Sequence, residues 1–202
     1  MTEHLSIHGT IKNELLGEIN LSFESGLNIV TGDNGAGKST LLKYICDLRK
    51  NKGSVLLNDK KLNAKMLSFF FSGDLLGETE MSIKENIMYY VGRENKKYFR
   101  ERYTKLMERL DLLDYENVLL KNASEGMRQK MSVIICLLSS APIKVIDEPF
   151  NYMDEKSCIG LVSYLSEYIK SYNEVLIIAT NDVKAFSNAS EIDKHKIHYF
   201  HL

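Results

Sequence analysis

Nine consecutive residues carry the strongest chemical signal in the chain: Gly32-Asp33-Asn34-Gly35-Ala36-Gly37-Lys38-Ser39-Thr40. The apolar run before them reads as a strand and Leu41-Leu42-Lys43-Tyr44-Ile45 after them as the start of a helix. Strand, glycine-rich loop, helix is an arrangement that cradles phosphate. Glycine lets the backbone wrap so closely that successive N–H groups face the β- and γ-phosphate oxygens, and the helix N-terminus adds about half a positive charge. Lys38 supplies a full charge, and the Ser39 hydroxyl is a suitable ligand for Mg2+. The chemistry so described is nucleotide binding.

A bound nucleoside triphosphate with no acid to hold its metal and orient water is only ligated. The acids are present in Ile143-Lys144-Val145-Ile146-Asp147-Glu148, a mostly apolar strand ending in two carboxylates between Pro142 and Pro149. Asp147 is placed to hold Mg2+ through water, and Glu148 to polarise an attacking water as general base. Lys144 inside this strand is the odd residue, and an edge-facing or snorkelling stem is the expectation for it.

Between these motifs lies Ala123-Ser124-Glu125-Gly126-Met127-Arg128-Gln129-Lys130. Together the three stretches, in this order and over nearly the whole chain, resemble the ATP-binding subunits of ABC transporters. Ser124, Gly126, Arg128, Gln129 and Lys130 fit that family's signature, L-S-G-G-Q followed by basic, Gln, basic; Ala123, Glu125 and Met127 depart from it. The resemblance implies that Ser124 and the backbone at Gly126 grip the γ-phosphate bound to an opposite subunit, a role suited to a helix N-terminus. In isolation Ser124 reads equally well as a helix cap. Asp154, in Phe150-Asn151-Tyr152-Met153-Asp154, stands where the family's D-loop carries its Asp and is assigned with it to nucleotide binding, and Met81-Ser82-Ile83-Lys84-Glu85-Asn86-Ile87 resembles the stretch that opens the family's helical subdomain, which faces the membrane partner. Three family residues are replaced. Ser72-Gly73-Asp74 stands in place of a Gln, Asn181 in place of a catalytic His, and no aromatic of residues 11–17 matches the adenine-stacking ring, His8 being the nearest candidate. Asn181 can hydrogen-bond a phosphate oxygen but cannot carry a proton.

These residues must be positioned by strands expected at 5–11, 19–23, 27–31, 54–57, 66–71, 143–146, 175–180 and 197–200. Several are continuously apolar, as central parallel strands are. Helical spacing is clearest for Met127, Met131, Ile134, Ile135 and Leu138, and for Cys158, Val162, Leu165 and Ile169. Strands alternating with helices indicate an α/β fold with a mainly parallel sheet, antiparallel strands at the N-terminus, and helices over 82–138 inserted into the α/β core. With the resemblance, this is the P-loop NTPase fold of an ABC-type ATPase, read as a single domain over 1–202.

The balance of 26 basic against 27 acidic residues gives a net charge of −1, so no global attraction to nucleic acid or anionic lipid is expected. Phe69-Phe70-Phe71, Tyr89-Tyr90 and Tyr98-Phe99 lack the interleaved basic residues of a stacking surface and read as packing. The basic segment 96–102 reads as a solvated helix face. No apolar run approaches the ~18 residues of a membrane span and no signal peptide is recognised. Cys46, Cys136 and Cys158 lie among apolar neighbours without metal-ligand spacing and point to core filling in a reducing cytoplasm. His195, His198 and His201, spaced by three on an edge strand, do not share a face and make no metal site. The resemblance implies a cytoplasmic ATPase that binds ATP and Mg2+, pairs with a second ATPase subunit in a homodimer or heterodimer, and attaches at the membrane to a separate permease, with export as the preferred direction. Two alternatives stay open: an ABC-type ATPase that remodels a protein or ribonucleoprotein partner, and a degenerate nucleotide-binding half of a heterodimer.

Overall fold

The computed structural model describes residues 6–13, 17–47, 55–74, 76–92, 96–181, 186 and 197–202. Leu5, Ser54 and His195 lie outside the described residues, as do the side chains of His8, residues 11–17 and residues 96–98. In chain order the elements are β1 (Ser6–Asn13), β2 (Gly17–Glu24), β3 (Gly26–Thr31), α1 (Lys38–Cys46), β4 (Val55–Leu57), β5 (Lys60–Lys61), β6 (Leu67–Phe70), α2 (Ile83–Val91), α3 (Lys96–Arg109), α4 (Glu125–Leu138), β7 (Ile143–Asp147), α5 (Glu155–Ser171), β8 (Val175–Ala179) and β9 (Ile197–His201). Every strand anticipated from the sequence is found. β5, two exposed lysines, carries no apolar pattern by which to anticipate it.

The strands form two sheets, β2-β1-β4-β5 and β6-β7-β8-β3-β9. All pairs in the first are antiparallel and all in the second are parallel. Successive side chains of the parallel strands pass to opposite faces, and both faces are apolar because both are covered. Leu27 and Ile29, Ile146, and Leu176 and Ile178 join one buried cluster with residues of α2 to α5. Val30, Val145, Ile177 and Ala179 join a second with Leu41, Leu42 and Ile45 of α1 and with Phe23, Val55 and Leu57 of the antiparallel sheet. The result is three layers with the parallel sheet in the middle.

The helices inserted between β6 and β7 share the first cluster rather than building a core of their own: Ile83 and Ile87 of α2, Leu106 of α3 and Ile134 of α4 belong to it. α2 begins with a capping box in which the Ser82 hydroxyl accepts from the Glu85 N–H and Glu85 accepts from the Ser82 N–H. α3 corrects one expectation. Arg102 is not part of a solvated face: it donates to the Leu137 carbonyl and lies over the rings of Tyr168 and Tyr172 at 5.4 and 4.9 Å.

Lys144 is the second correction. It is fully buried in β7, an interior strand, so its stem neither faces an edge nor snorkels. Its ammonium instead donates to the Ala141 carbonyl at 2.8 Å and to the Glu174 carboxylate, which also accepts from the Tyr168 hydroxyl. Burial pushes the lysine's affinity for its proton down, and Glu174 opposes that shift.

Candidate functional site

Three strands of the parallel sheet deliver the site to its C-terminal edge, where α/β sheets bind ligands. Ala179 of β8 is paired with Val30 of β3 on one side and with Asp147 of β7 on the other. Beyond that row the Thr180 N–H donates to the Val30 carbonyl and the Glu148 N–H to the Ala179 carbonyl, at 3.1 and 2.8 Å. The glycine loop, the two carboxylates and Asn181 are therefore neighbours through strand register, although up to 149 positions separate Gly32 from Asn181 in the chain.

The loop takes the form that phosphate recognition needs. Gly37 caps α1 from the left-handed region, φ 100°, a conformation costly for any residue with a Cβ. The first turn of α1, beginning at Lys38, then presents N–H groups that have no acceptor within the helix. Asp33 and Ala36 close the turn through a backbone hydrogen bond of 3.1 Å. Lys38 is nearly buried, and its ammonium donates to the carbonyls of Gly32 and Asp33 at 2.9 and 3.1 Å, which places a full positive charge inside the loop. Asn34, Gly35 and Ser39 are exposed along the rim, and Thr40 is partly exposed.

Asp147 is 5% exposed, and its Oδ1 has no hydrogen-bond partner among the described residues. Burial raises its pKa, while a hydrogen bond from Ser39 and the charges of Lys43 and Lys38 oppose the rise. An unpaired, buried carboxylate oxygen beside a serine hydroxyl is a donor set that suits a hard divalent cation such as Mg2+. Glu148 follows at φ 46°, left-handed for a residue with a side chain. Its pKa is also raised by burial, against the pull of the Asn181 N–H and Lys38. That N–H lies 3.4 Å from Glu148 Oε2, and the Asn181 side-chain amide donates to Asn34 Oδ1. Asn181 thus joins the loop to the carboxylate pair.

Ser124 and Gly126 are organised differently. Ser124 is exposed and caps α4, its hydroxyl accepting from the Met127 N–H at 3.2 Å. Its bonding stays within its own helix turn, away from residues 32–40. Asp154 likewise caps α5, where its carboxylate accepts from the Ser157 N–H, the Ser157 hydroxyl and Lys130 Nζ at 2.9, 2.9 and 2.8 Å. The Lys130 contact, with the bonds from Ser157, holds the Asp154 pKa well below the usual carboxylate range. Ser72-Gly73-Asp74 forms a turn closed by the Asp74 N–H on the Phe71 carbonyl. Beside it, Thr40, Lys43, Tyr44, Phe69, Phe71 and Asp74 line an open groove of about 510 Å³ next to α1.

Sequence reasoning overlooked the work of Gln129 and Lys130, reading them only as motif matches. Gln129 Nε2 donates to the Glu148 carbonyl at 3.1 Å, and Lys130 holds Asp154. A signal was available, because residues 131–138, Met-Ser-Val-Ile-Ile-Cys-Leu-Leu, make a helix buried on all sides, so polar residues at its start need buried partners. Cys136 is buried in the first cluster and burial pushes its thiol pKa up to about 11, whereas Cys46 and Cys158 are half-buried at the margins of the two clusters. Among the described residues, no helix is long and apolar enough to cross a membrane.

Residues 16–151 match the sequence profile of the ABC transporter family. The chain is 30% identical over 188 residues to the probable peptide export ATP-binding protein YydI of Bacillus subtilis (strain 168), spanning 90% of this chain and 85% of that one. It is also 30% identical over 196 residues to the energy-coupling factor transporter ATP-binding protein EcfA of Aster yellows witches'-broom phytoplasma (strain AYWB), spanning 89% and 69%. Among solved structures, an ATP-binding subunit of an ABC transporter superposes with a TM-score of 0.75 over 90% of this chain and 81% of its own, at 19% identity, a likeness of fold. With the phosphate loop and the paired carboxylates at one sheet edge, these matches place the chain in the ABC transporter family, among its ATP-binding, ATP-hydrolysing subunits.

Proposed function

We propose that this chain, as a single domain over residues 1–202, powers a separate membrane-spanning permease, and that the pair exports its cargo. Lys38 and the amides of Gly35, Gly37, Lys38 and Ser39 would take the β- and γ-phosphates, with Asp33, Asn34 and Thr40 completing the cradle. Ser39 and Asp147 are the residues to hold Mg2+, which when bound neutralises charge on the phosphate oxygens. Glu148 takes the proton of the attacking water at its carboxylate, and Asn181 orients the γ-phosphate by hydrogen bonding in place of a histidine. The observation that carries this reading is the pairing of Ala179 with both Val30 and Asp147, which sets Glu148 beside the phosphate loop.

In this reading two subunits, alike or different, close head to tail on ATP, and Ser124 and Gly126 of each meet the γ-phosphate held by the other. The exposure of Ser124 at the free N-terminus of α4 supports that role. Asp154, held between α4 and α5 by Lys130, would join them in nucleotide binding from its place in the loop after the carboxylate pair. Hydrolysis removes the contact that joins the subunits and so reopens the pair. Tyr89 and Tyr90, expected from the sequence to pack, are instead exposed on α2 beside Met88 and supply an apolar face for the permease, which would keep the subunit at the cytoplasmic side of the membrane. Export rests on the likeness to the Bacillus subtilis peptide export protein. The test is light-scattering mass and turnover of Glu148→Gln with and without Mg-ATP. A monomer that dimerises only with ATP and turns over about 10²-fold slower is the expected result; unchanged turnover would overturn the assignment.

A further inference from the structure

The helix that carries Ser124 and Gly126 touches the segment after β7 at three places. At its first turn Gly126 approaches Tyr152 so closely that a Cβ there would lie 2.6 Å from the Tyr152 carbonyl oxygen. One turn on, Gln129 Nε2 reaches the Glu148 carbonyl at 3.1 Å, and Lys130 Nζ reaches Asp154 Oδ2 at 2.8 Å. Gln129 is 4% exposed and Lys130 7%, so the donor of each contact is sheltered from water, while the Asp154 carboxylate is half exposed. The Glu148 carbonyl also accepts from the Asn151 N–H at 3.3 Å, and the Glu148 N–H is held by Ala179. A glutamate at φ 46° keeps that posture only while its surroundings impose it. Its carboxylate direction follows from its backbone, and one of the groups fixing that backbone belongs to α4.

We infer that Gln129 is a positioning residue for Glu148: its amide, carried on α4, sets the backbone posture that aims the carboxylate, so displacement of α4 is felt at Glu148. This deepens the reading of Glu148 as general base and rests on it. The contact is made to the backbone carbonyl, so it steers Glu148 without consuming either carboxylate oxygen. It also gives the helix whose N-terminus is assigned to a partner's nucleotide a direct strut to its own chain's carboxylate.

Gln129→Met, of similar length but with no donor, tests this in the full chain. Turnover at saturating Mg-ATP should fall by about ten- to a hundredfold, the scale of a displaced reacting group, while KM and the ATP dissociation constant stay within about twofold. In a Glu148→Gln background the same change should cost nothing further, because a residue acting through Glu148 has nothing left to position. Gln129→Asn, which keeps a buried amide but lacks the reach, carries the same expectation if the methionine variant fails to fold, with melting temperature checked for each. Turnover within twofold of the parent in a folded variant overturns the inference, as does a full repeat of the loss in the Glu148→Gln background. Undiminished turnover of Glu148→Gln alone overturns the base assignment, and the inference with it.

Discussion

Lys144, near the start of an interior strand, meets the carboxylate of Glu174 at the entry to the neighbouring one, and the pair is capped by the Tyr168 hydroxyl and the Ala141 carbonyl. Lys144 is fully buried and the Glu174 side chain 17% exposed. Breaking such a pair strands a charge, whereas removing both charges relieves a desolvation cost. Glu174→Gln or Lys144→Met alone should lower stability by about 3–5 kcal/mol. The double variant should recover most of that loss. Urea unfolding of the three proteins measures the difference, and additive losses would show that the pair does not act as a unit.

Asp147 and Glu148 both have pKa values raised by burial, which makes the site a cost to folding near neutrality. The sign follows from proton counting. Between the ordinary carboxylate value of about 4 and the raised folded value, the native state binds more protons than the unfolded one. Stability present at low pH is therefore lost as pH rises through the folded pKa. Glu148→Gln and Asp147→Asn should melt like the parent below about pH 4 and above it at pH 7. Melting curves of the metal-free proteins across that range check this.

Asn181 already bonds to Asn34 and approaches Glu148 through its N–H. A histidine there keeps a ring donor for phosphate and adds a group that can hold a proton. Asn181→His should preserve or raise turnover, measured as phosphate release at saturating Mg-ATP. Complete loss would show a site tuned around the amide.

Gly126→Ala offers a competition of known size. In an open helix position alanine is favoured over glycine by about 1 kcal/mol, but here the added Cβ meets the Tyr152 carbonyl at 2.6 Å, a backbone atom that cannot step aside. Overpacking of this kind costs about 1–3 kcal/mol. A net loss of stability on urea unfolding is expected, and a gain would show that α4 and the 148–154 segment do not bear on each other.

The phosphate loop and the carboxylate pair were legible in the sequence because local rules determine them. Glycine at 37 permits a left-handed cap, a mostly apolar run over 143–146 ending in two carboxylates reads as a buried strand, and each needs only its neighbours in the chain. Helical spacing likewise gave α4 and α5 from contiguous residues. Tertiary structure alone decided the pairing of β8 with both β3 and β7, which makes one site of three distant loops, because strand order is set by packing on both faces of the sheet. It also decided the fate of polar groups in apolar surroundings. That Lys144 would find Glu174, Arg102 the tyrosine rings, Gln129 the Glu148 carbonyl and Lys130 the cap of α5 depends on which side chains converge in the core. A buried charge or amide announces in the sequence that it needs a partner, and only the packed fold determines which partner that is.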